Sequence, residues 1–366
     1  MSITRFAAYI ALAFSLLISA QANAASYKIG ISVPLSGNAA NLARQFVAGA
    51  RLAVRALASD DEVELVIADD GCDESLGELA GQDLADAQVS IVTGLLCNAA
   101  ARAVAKEMQS TGIPIIAAGA QSNQLMRDAI NEEWNLWRLS PGDDFAAKAS
   151  FRLLSERWDG LPIGVIDDGT IYGRTMSDEF RALLEEAGRP AQFSDAIRPA
   201  QSTQAALIRR LRQSGVSAIF VVASAEDTAL IWDSAKDLKE GFEMAGSETL
   251  ALLPWLDIAS TTADGLLAVM PPQPEELPAF KSLERQLKSS NIEPEAHVFQ
   301  GYAAIEVAMA ALRPTPEQTS EALEQTVFRT VLGNVDFDEE RRNRVNNYIL
   351  QQWRDKKFVP VQAETE

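Results

Sequence analysis

The sequence predicts an α/β protein of two lobes, each a parallel sheet with helices on both faces. Three observations predict it. Short apolar runs alternate with helix-length amphipathic segments from residue 27 onward. That rhythm breaks at Ser140-Pro141-Gly142-Asp143-Asp144 and then restarts. The only two cysteines, Cys72 and Cys97, each close one of the apolar runs in the first half. A β-α-β-α rhythm of this kind buries its strands between helical layers.

Taken in order, 27–33 reads as a strand turned by Pro34-Leu35-Ser36-Gly37, and Phe46, Ala50, Ala53 and Leu57 then recur at helical spacing. Strands follow at 63–68, 89–93 and 113–117, each separated by a helix-length segment. Trp137-Arg138-Leu139 is a strand before the Pro-Gly turn, and a new helix starts at Asp144. The second series is a strand at 163–166, helices at 172–187 and 203–214, a strand at 218–222, a helix at 226–238 and a strand at 249–253. Its first strand ends Ile166-Asp167-Asp168-Gly169, echoing Ile67-Ala68-Asp69-Asp70-Gly71 in the first half. A crossing strand is expected at 266–272. Helices at 277–289 and 298–312 return to the first lobe, and a hairpin of 348–353 with 357–359 completes the second. Several crossings between lobes imply hinges rather than one loose linker.

A chain of 366 residues is too long for one simple core. Its formal charge is −19, which disfavours a phosphate backbone as partner, so no nucleic acid is expected. Arg5, the apolar stretch 6–20 and Ala22-Asn23-Ala24 have the layout of a signal peptide ending at residue 24. No cysteine stands at that cleavage site, so the mature chain is expected to be soluble outside the cytoplasm without a lipid anchor. In that oxidising compartment two cysteines read as one disulfide. Consecutive parallel strands deliver Cys72 and Cys97 to the same sheet edge, the edge at which open α/β sheets bind ligands.

The chemistry-bearing motifs are chiefly absent. There is no G-x-G-x-x-G, P-loop or G-x-S-x-G, and the single histidine, His297, excludes a two-histidine zinc site. His297 reads as a surface or capping residue before an apolar helix. The Asp69-Asp70 and Asp167-Asp168 pairs read as turn caps rather than metal ligands. No catalytic constellation, cofactor or metal is expected. Asn98 stands as the N-cap of the helix that follows the second cysteine, and Gly119-Ala120-Gln121-Ser122 opens the next helix. Two neighbouring helix N-termini at one edge make an anion site, with ordinary capping as the plain alternative.

These residues resemble the periplasmic leucine/isoleucine/valine-binding proteins, the type I solute-binding proteins of ABC importers. The likeness is carried by Ile29-Gly30 to Gly37, by Asp69-Asp70-Gly71-Cys72-Asp73 with Gly94-Leu95-Leu96-Cys97-Asn98, by Ile113-Pro114-Ile115-Ile116 and by Ile171-Tyr172-Gly173-Arg174. It implies two similar doubly wound lobes of the periplasmic binding protein type I fold, joined by a three-crossover hinge and closing on a small ligand. In the family a hydroxyl after the second cysteine helps hold the ligand carboxylate; here that place is Asn98. The family's Ala-Ala-Thr segment becomes Gly119-Ala120-Gln121. Tyr172 matches an aromatic that covers the ligand. The family's acidic partner for the ligand ammonium falls near Pro254-Trp255, where Trp255 offers a cation–π contact and Asp257 or Glu226 a substitute carboxylate.

The expectation is therefore a periplasmic binding component of an ABC-type amino-acid transport system, taking a branched-chain amino acid or related small carboxylate and performing no chemistry. The expected ligand residues are Ser36, Asn98, Gly119, Gln121, Tyr172, Ser224 and Trp255. Residues 25–141 with 270–332 form the first lobe and 142–269 with 333–366 the second. The partners are the small molecule and an inner-membrane permease, and the protein is expected to be a monomer. The alternatives are a periplasmic sensor of an aromatic acid or amide feeding a signalling receptor, and a hydrolase, which the lone histidine and absent nucleophile elbow disfavour.

Overall fold

The computed structural model describes residues 26–58, 62–199, 201–251, 263–313 and 318–361. The expected signal peptide, Trp255 and Asp257 lie outside the described residues. The first sheet holds β1 (Ser26–Val33), β2 (Glu62–Asp69), β3 (Ile91–Gly94), β4 (Ile115–Ala117) and β5 (Leu136–Arg138). All pair in parallel, in the order β2-β1-β3-β4-β5. Helices α1 (Ala40–Leu57), α2 (Glu74–Asp86), α3 (Asn98–Glu107) and α4 (Asn123–Asn131) connect them. The second sheet holds β6 (Ile163–Asp167), β7 (Phe193–Ala196), β8 (Ala218–Val222), β9 (Glu243–Gly246) and β10 (Leu267–Met270). Its parallel part runs β7-β6-β8-β9-β10, the same winding as the first. Helix α5 (Phe145–Arg157) leads into β6, and α6 (Ile171–Glu186), α7 (Ala205–Ser214) and α8 (Ala225–Asp237) follow the first three strands.

The chain then crosses back. Helices α9 (Phe280–Ser289), α10 (Ala296–Leu312) and α11 (Thr319–Gln325) and the hairpin β11 (Phe328–Thr330) with β12 (Gly333–Val335) join the core of the first lobe. A last crossing delivers β13 (Ile349–Arg354), antiparallel to β10, and β14 (Lys357–Pro360) beside it, as the hairpin expected at this place. The chain thus passes between sheets three times, at 139–144, 271–279 and 336–348.

Each sheet separates two cores. In β1 the alternating Ile29, Ile31 and Val33 face Phe46, Phe299 and Ile305, while β3 and β4 turn Val92 and Ile115 toward Leu84, Val104 and Leu125. Helix α10 reads AHVFQGYAAIEVAMAAL and is apolar almost all round because it is covered almost all round. It lies on α1 at glycine-width separation. A Cβ on Gly49 would fall 1.9 Å from the carbonyl oxygen of Val298, and one on Gly301 would fall 2.0 Å from that of Phe46.

Two expectations need correction. The strand expected at 249–253 is displaced: β9 is Glu243–Gly246, and 248–251 form a single helical turn. Thr249-Leu250-Ala251 looked apolar enough for a strand, yet Leu250 folds back over Gly246 instead. The edge strand β7, Phe193-Ser194-Asp195-Ala196, was not foreseen, because its half-exposed alternation carries few apolar residues.

Candidate functional site

The C-terminal ends of both parallel sheets carry the polar loops. In the first lobe the β2–α2 and β3–α3 turns are joined by the disulfide Cys72–Cys97, with Cα atoms 5.3 Å apart. Beneath Cys72, the fully buried Asp70 accepts from Ser32 Oγ (2.9 Å) and from the Cys72 N–H (3.0 Å), and burial pushes its carboxyl up. Its neighbour Asp69 accepts from the N–H groups of Leu35, Ser36 and Gly71 at 2.7, 3.3 and 3.0 Å. Burial works against its charge, but these bonds prevail and hold it below the usual carboxylate range. Asp69 thereby fixes the loop that presents Ser36, which is exposed.

Asn98 plays a different part from the one its position suggested. The N-cap of α3 is Cys97, and Asn98 is the first helical residue. Its Oδ1 accepts from the N–H groups of Gln121 (3.0 Å) and Ser122 (3.1 Å), bridging to the loop before α4. Gly119 permits that approach, since a Cβ there would stand 2.8 Å from Leu96 Cα. So Asn98, Gly119 and Gln121 are brought together. The α4 terminus is closed, however. Asp143 Oδ2 accepts from Asn123 N, and Ser122 Oγ accepts from Leu125 N. The expected pair of open helix N-termini reduces to one, that of α3, which has no side-chain cap. With Oδ1 turned to α4, the Asn98 amide offers its N–H groups.

In the second lobe Thr170 caps α6 through the Gly173 N–H, and Ser224 caps α8 through the Asp227 N–H (3.1 Å) while donating to Asp227 Oδ2 (3.1 Å). The Ser224 hydroxyl is thus committed locally. Asp167 and Asp168 accept from Gly169 and Thr170 as turn caps. Among the described residues no cluster of His, Cys, Asp or Glu is placed to hold a metal ion. His297 lies half-buried in the first turn of α10, and burial lowers its pKa.

Sequence reasoning missed Glu248. It follows β9 directly and is held by the same turn that ties Thr249 Oγ1 to the Ala223 carbonyl beside Ser224 (2.7 Å). Tyr172 donates its hydroxyl to Glu248 Oε1 at 2.6 Å, and Oε2 is buried without a hydrogen-bond partner among the described residues. Burial pushes the Glu248 carboxyl up, although the Tyr172 bond opposes this. Burial and the Glu248 charge raise both Tyr172 and Tyr348 above the ordinary phenol range. Tyr172 keeps 43% of its surface exposed. The second-lobe group is therefore Tyr172, Glu248 and the neighbouring Ser224. Glu226 stands exposed on the first turn of α8, with no bond to this group. No hydrogen bond joins Ser36, Asn98, Gly119 or Gln121 to the second-lobe group.

Two similarly wound lobes, three crossings and polar loops at the strand ends are the architecture of a two-lobed binding protein. Residues 26–357 match the family described as periplasmic binding protein, and the chain belongs to it. A Leu/Ile/Val-binding protein homolog 1 from Brucella suis is 24% identical over 335 residues, 89% of this chain and 90% of that one. A crystal structure from Rhodospirillum rubrum, of a protein ascribed to branched-chain amino acid ABC transport, is 19% identical and superposes with a TM-score of 0.82 over 92% of this chain and all of its own. An ABC transporter solute-binding protein from Rhodopseudomonas palustris, in complex with 3,4-dihydroxybenzoic acid, has a TM-score of 0.64 at 16% identity over 92% of this chain and 96% of its own. Among the described residues no helix is long and apolar enough to cross a membrane.

Proposed function

We propose that the protein binds an α-amino acid, with a branched-chain side chain as the leading choice, and delivers it to an inner-membrane ABC permease. One observation carries the reading: a buried carboxylate, Glu248, has one oxygen held by Tyr172 and the other without a hydrogen-bond partner among the described residues. A buried carboxylate in that state is costly alone and is relieved by a cation. The ligand ammonium supplies one. The ligand carboxylate then meets the uncapped N-terminus of α3 and the Asn98 amide N–H groups. Ser36 and Trp255 stay in the proposal as ligand residues on the sequence resemblance alone, and Glu248 takes the role that the resemblance places near Trp255.

Ligand contact with both lobes favours the closed form, which the permease reads; the protein itself performs no reaction. The lobe limits at 141, 269 and 332, cleavage after Ala24, the periplasmic location and the monomeric state belong to the same proposal. The aromatic-acid complex of a structural relative motivates a second reading. A hydroxybenzoate has no ammonium and leaves Glu248 unpaired, which disfavours it.

The test is a thermal-melt screen on protein unfolded and refolded with its disulfide intact. Leucine, isoleucine and valine should raise the melting temperature by several degrees at saturation, as a ligand about a hundredfold above its Kd adds roughly 3 kcal/mol. A shift with hydroxybenzoates and none with any α-amino acid overturns the reading.

A further inference from the structure

Arg138 ends β5 and is only 3% exposed. A buried guanidinium is costly unless partnered; here Nη1 carries both side-chain bonds, and Nε has no hydrogen-bond partner among the described residues. Its Nη1 donates to the Gln121 carbonyl (3.0 Å), in the loop that Asn98 bridges, and to Oδ1 of Asn123 (2.8 Å), the first residue of α4. The same Gln121 carbonyl accepts from the Asp143 N–H (3.0 Å), and Asp143 Oδ2 accepts from the Asn123 N–H (3.2 Å). The first crossover is therefore fastened to the loop at both ends. Gly142 lies flat against this cluster: a Cβ there would stand 2.5 Å from Arg138 Nη2, 2.6 Å from Asp144 Oδ1 and 2.8 Å from Asn123 Oδ1.

The backbone of Arg138 holds the third crossover. Its N–H donates to the Arg341 carbonyl (2.8 Å), and its carbonyl accepts from the Asn343 N–H (2.9 Å). Arg341 in turn lays its guanidinium 4.8 Å from the Trp137 ring and donates to the Trp134 carbonyl (2.9 Å). The charges facing Arg138 come from both crossovers, Asp143 and Asp144 on one and Asp338 with Arg342 on the other.

We propose that Arg138 is a positioning residue that makes the 121–123 ligand loop one body with the first and third crossovers. A hinge rotation then carries the Gln121 and Ser122 amides, and Asn98 with them, rather than sliding past them. This coupling does not depend on which ligand is bound.

The experiment is amide hydrogen exchange on the ligand-free protein, comparing Arg138→Met and Arg138→Lys with the parent. The methionine variant should speed exchange in 119–125 and 139–145 together, by about tenfold, the effect of one or two lost hydrogen bonds, while 338–345, held by the backbone of residue 138, keeps its protection. Segment 218–237 should be unchanged, and lysine should rescue part of the effect. Loosening of 119–125 with 139–145 at parental protection overturns the proposal, because Arg138 is then only a local prop. Should Arg138→Met fail to fold, Asp143→Ala must still loosen 119–125 and 139–145 together, and loosening of one alone overturns the coupling. Calorimetry with L-leucine separates the two readings. A parent that takes no leucine sinks the ligand assignment, while the exchange pattern still decides the coupling.

Discussion

The hydroxyl of Tyr172 lies 2.6 Å from a carboxylate oxygen of Glu248, although 76 residues separate them. Each follows a strand of the second sheet, β6 and β9, so the fold alone brings the phenol to the acid. Glu248→Gln keeps the shape and the Tyr172 bond but removes the charge. Leucine affinity should fall by about thirtyfold or more, the usual range for losing one partner of a buried charge pair. Tyr172→Phe should cost about tenfold. Calorimetric titration checks both, and an unchanged Kd in Glu248→Gln would falsify the ammonium assignment.

The pH dependence follows from the same group. Burial raises the Glu248 carboxyl, so acidification protonates it above the ordinary carboxylate range. Ligand ammonium stays charged throughout, and affinity should therefore decline as pH falls through that raised value. Titrations repeated across pH in Glu248→Gln should lose this slope.

Asn98 separates stability from recognition. In Asn98→Asp a carboxylate oxygen still accepts from Gln121 and Ser122, so the melting temperature should hold. The added charge at the α3 terminus repels a ligand carboxylate, and leucine binding should weaken by about a hundredfold, a few kcal/mol of like-charge juxtaposition. Asn98→Ala should instead lower the melting temperature, since two N–H groups lose their acceptor.

At the α1–α10 contact, Gly49→Ala and Gly301→Ala each push a methyl into a backbone carbonyl. Rigid helices cannot yield there cheaply, and each change should cost about 1–3 kcal/mol. Denaturant unfolding should show it, with leucine affinity per folded molecule unaltered.

Glu306 on α10 accepts from the Val331 N–H at 2.7 Å, and burial pushes its carboxyl up to about 7. A raised carboxyl stabilises the fold fully below the unfolded value of 4.5, and that contribution is lost as pH rises through about 7. Glu306→Gln keeps an acceptor for Val331 and removes the charge. Its melting temperature should exceed the parent's at pH 8 by about 2–4 °C, roughly 1 kcal/mol after allowing for partial solvent screening. At pH 4.5 the difference should vanish.

Much of the fold was legible because strand and helix periods differ so clearly. The cysteine pairing was legible because parallel strands share an edge. Glu248 was not. The run Thr249-Leu250-Ala251-Leu252-Leu253 outweighs Glu243-Met244-Ala245-Gly246 in apolar content, so the pattern places the strand several residues late and leaves Glu248 before the strand instead of after it, at the wrong end for a ligand site. Asn98 was found, but the use of its oxygen depends on a loop 23 residues away that no local pattern announces. The roles of Arg138 and Arg341 likewise arise from segments about 200 residues apart.

Helix α10 completes the core against α1, yet it leaves the ribosome some 250 residues later. The second sheet waits in the same way for β13 and β14, the last strands made. Neither half can finish its interior from one continuous stretch of chain, so closure of both cores is deferred until synthesis is nearly over. Such sequence-distant pairing slows folding. Neither core is whole until elements from the last hundred or so residues are in place.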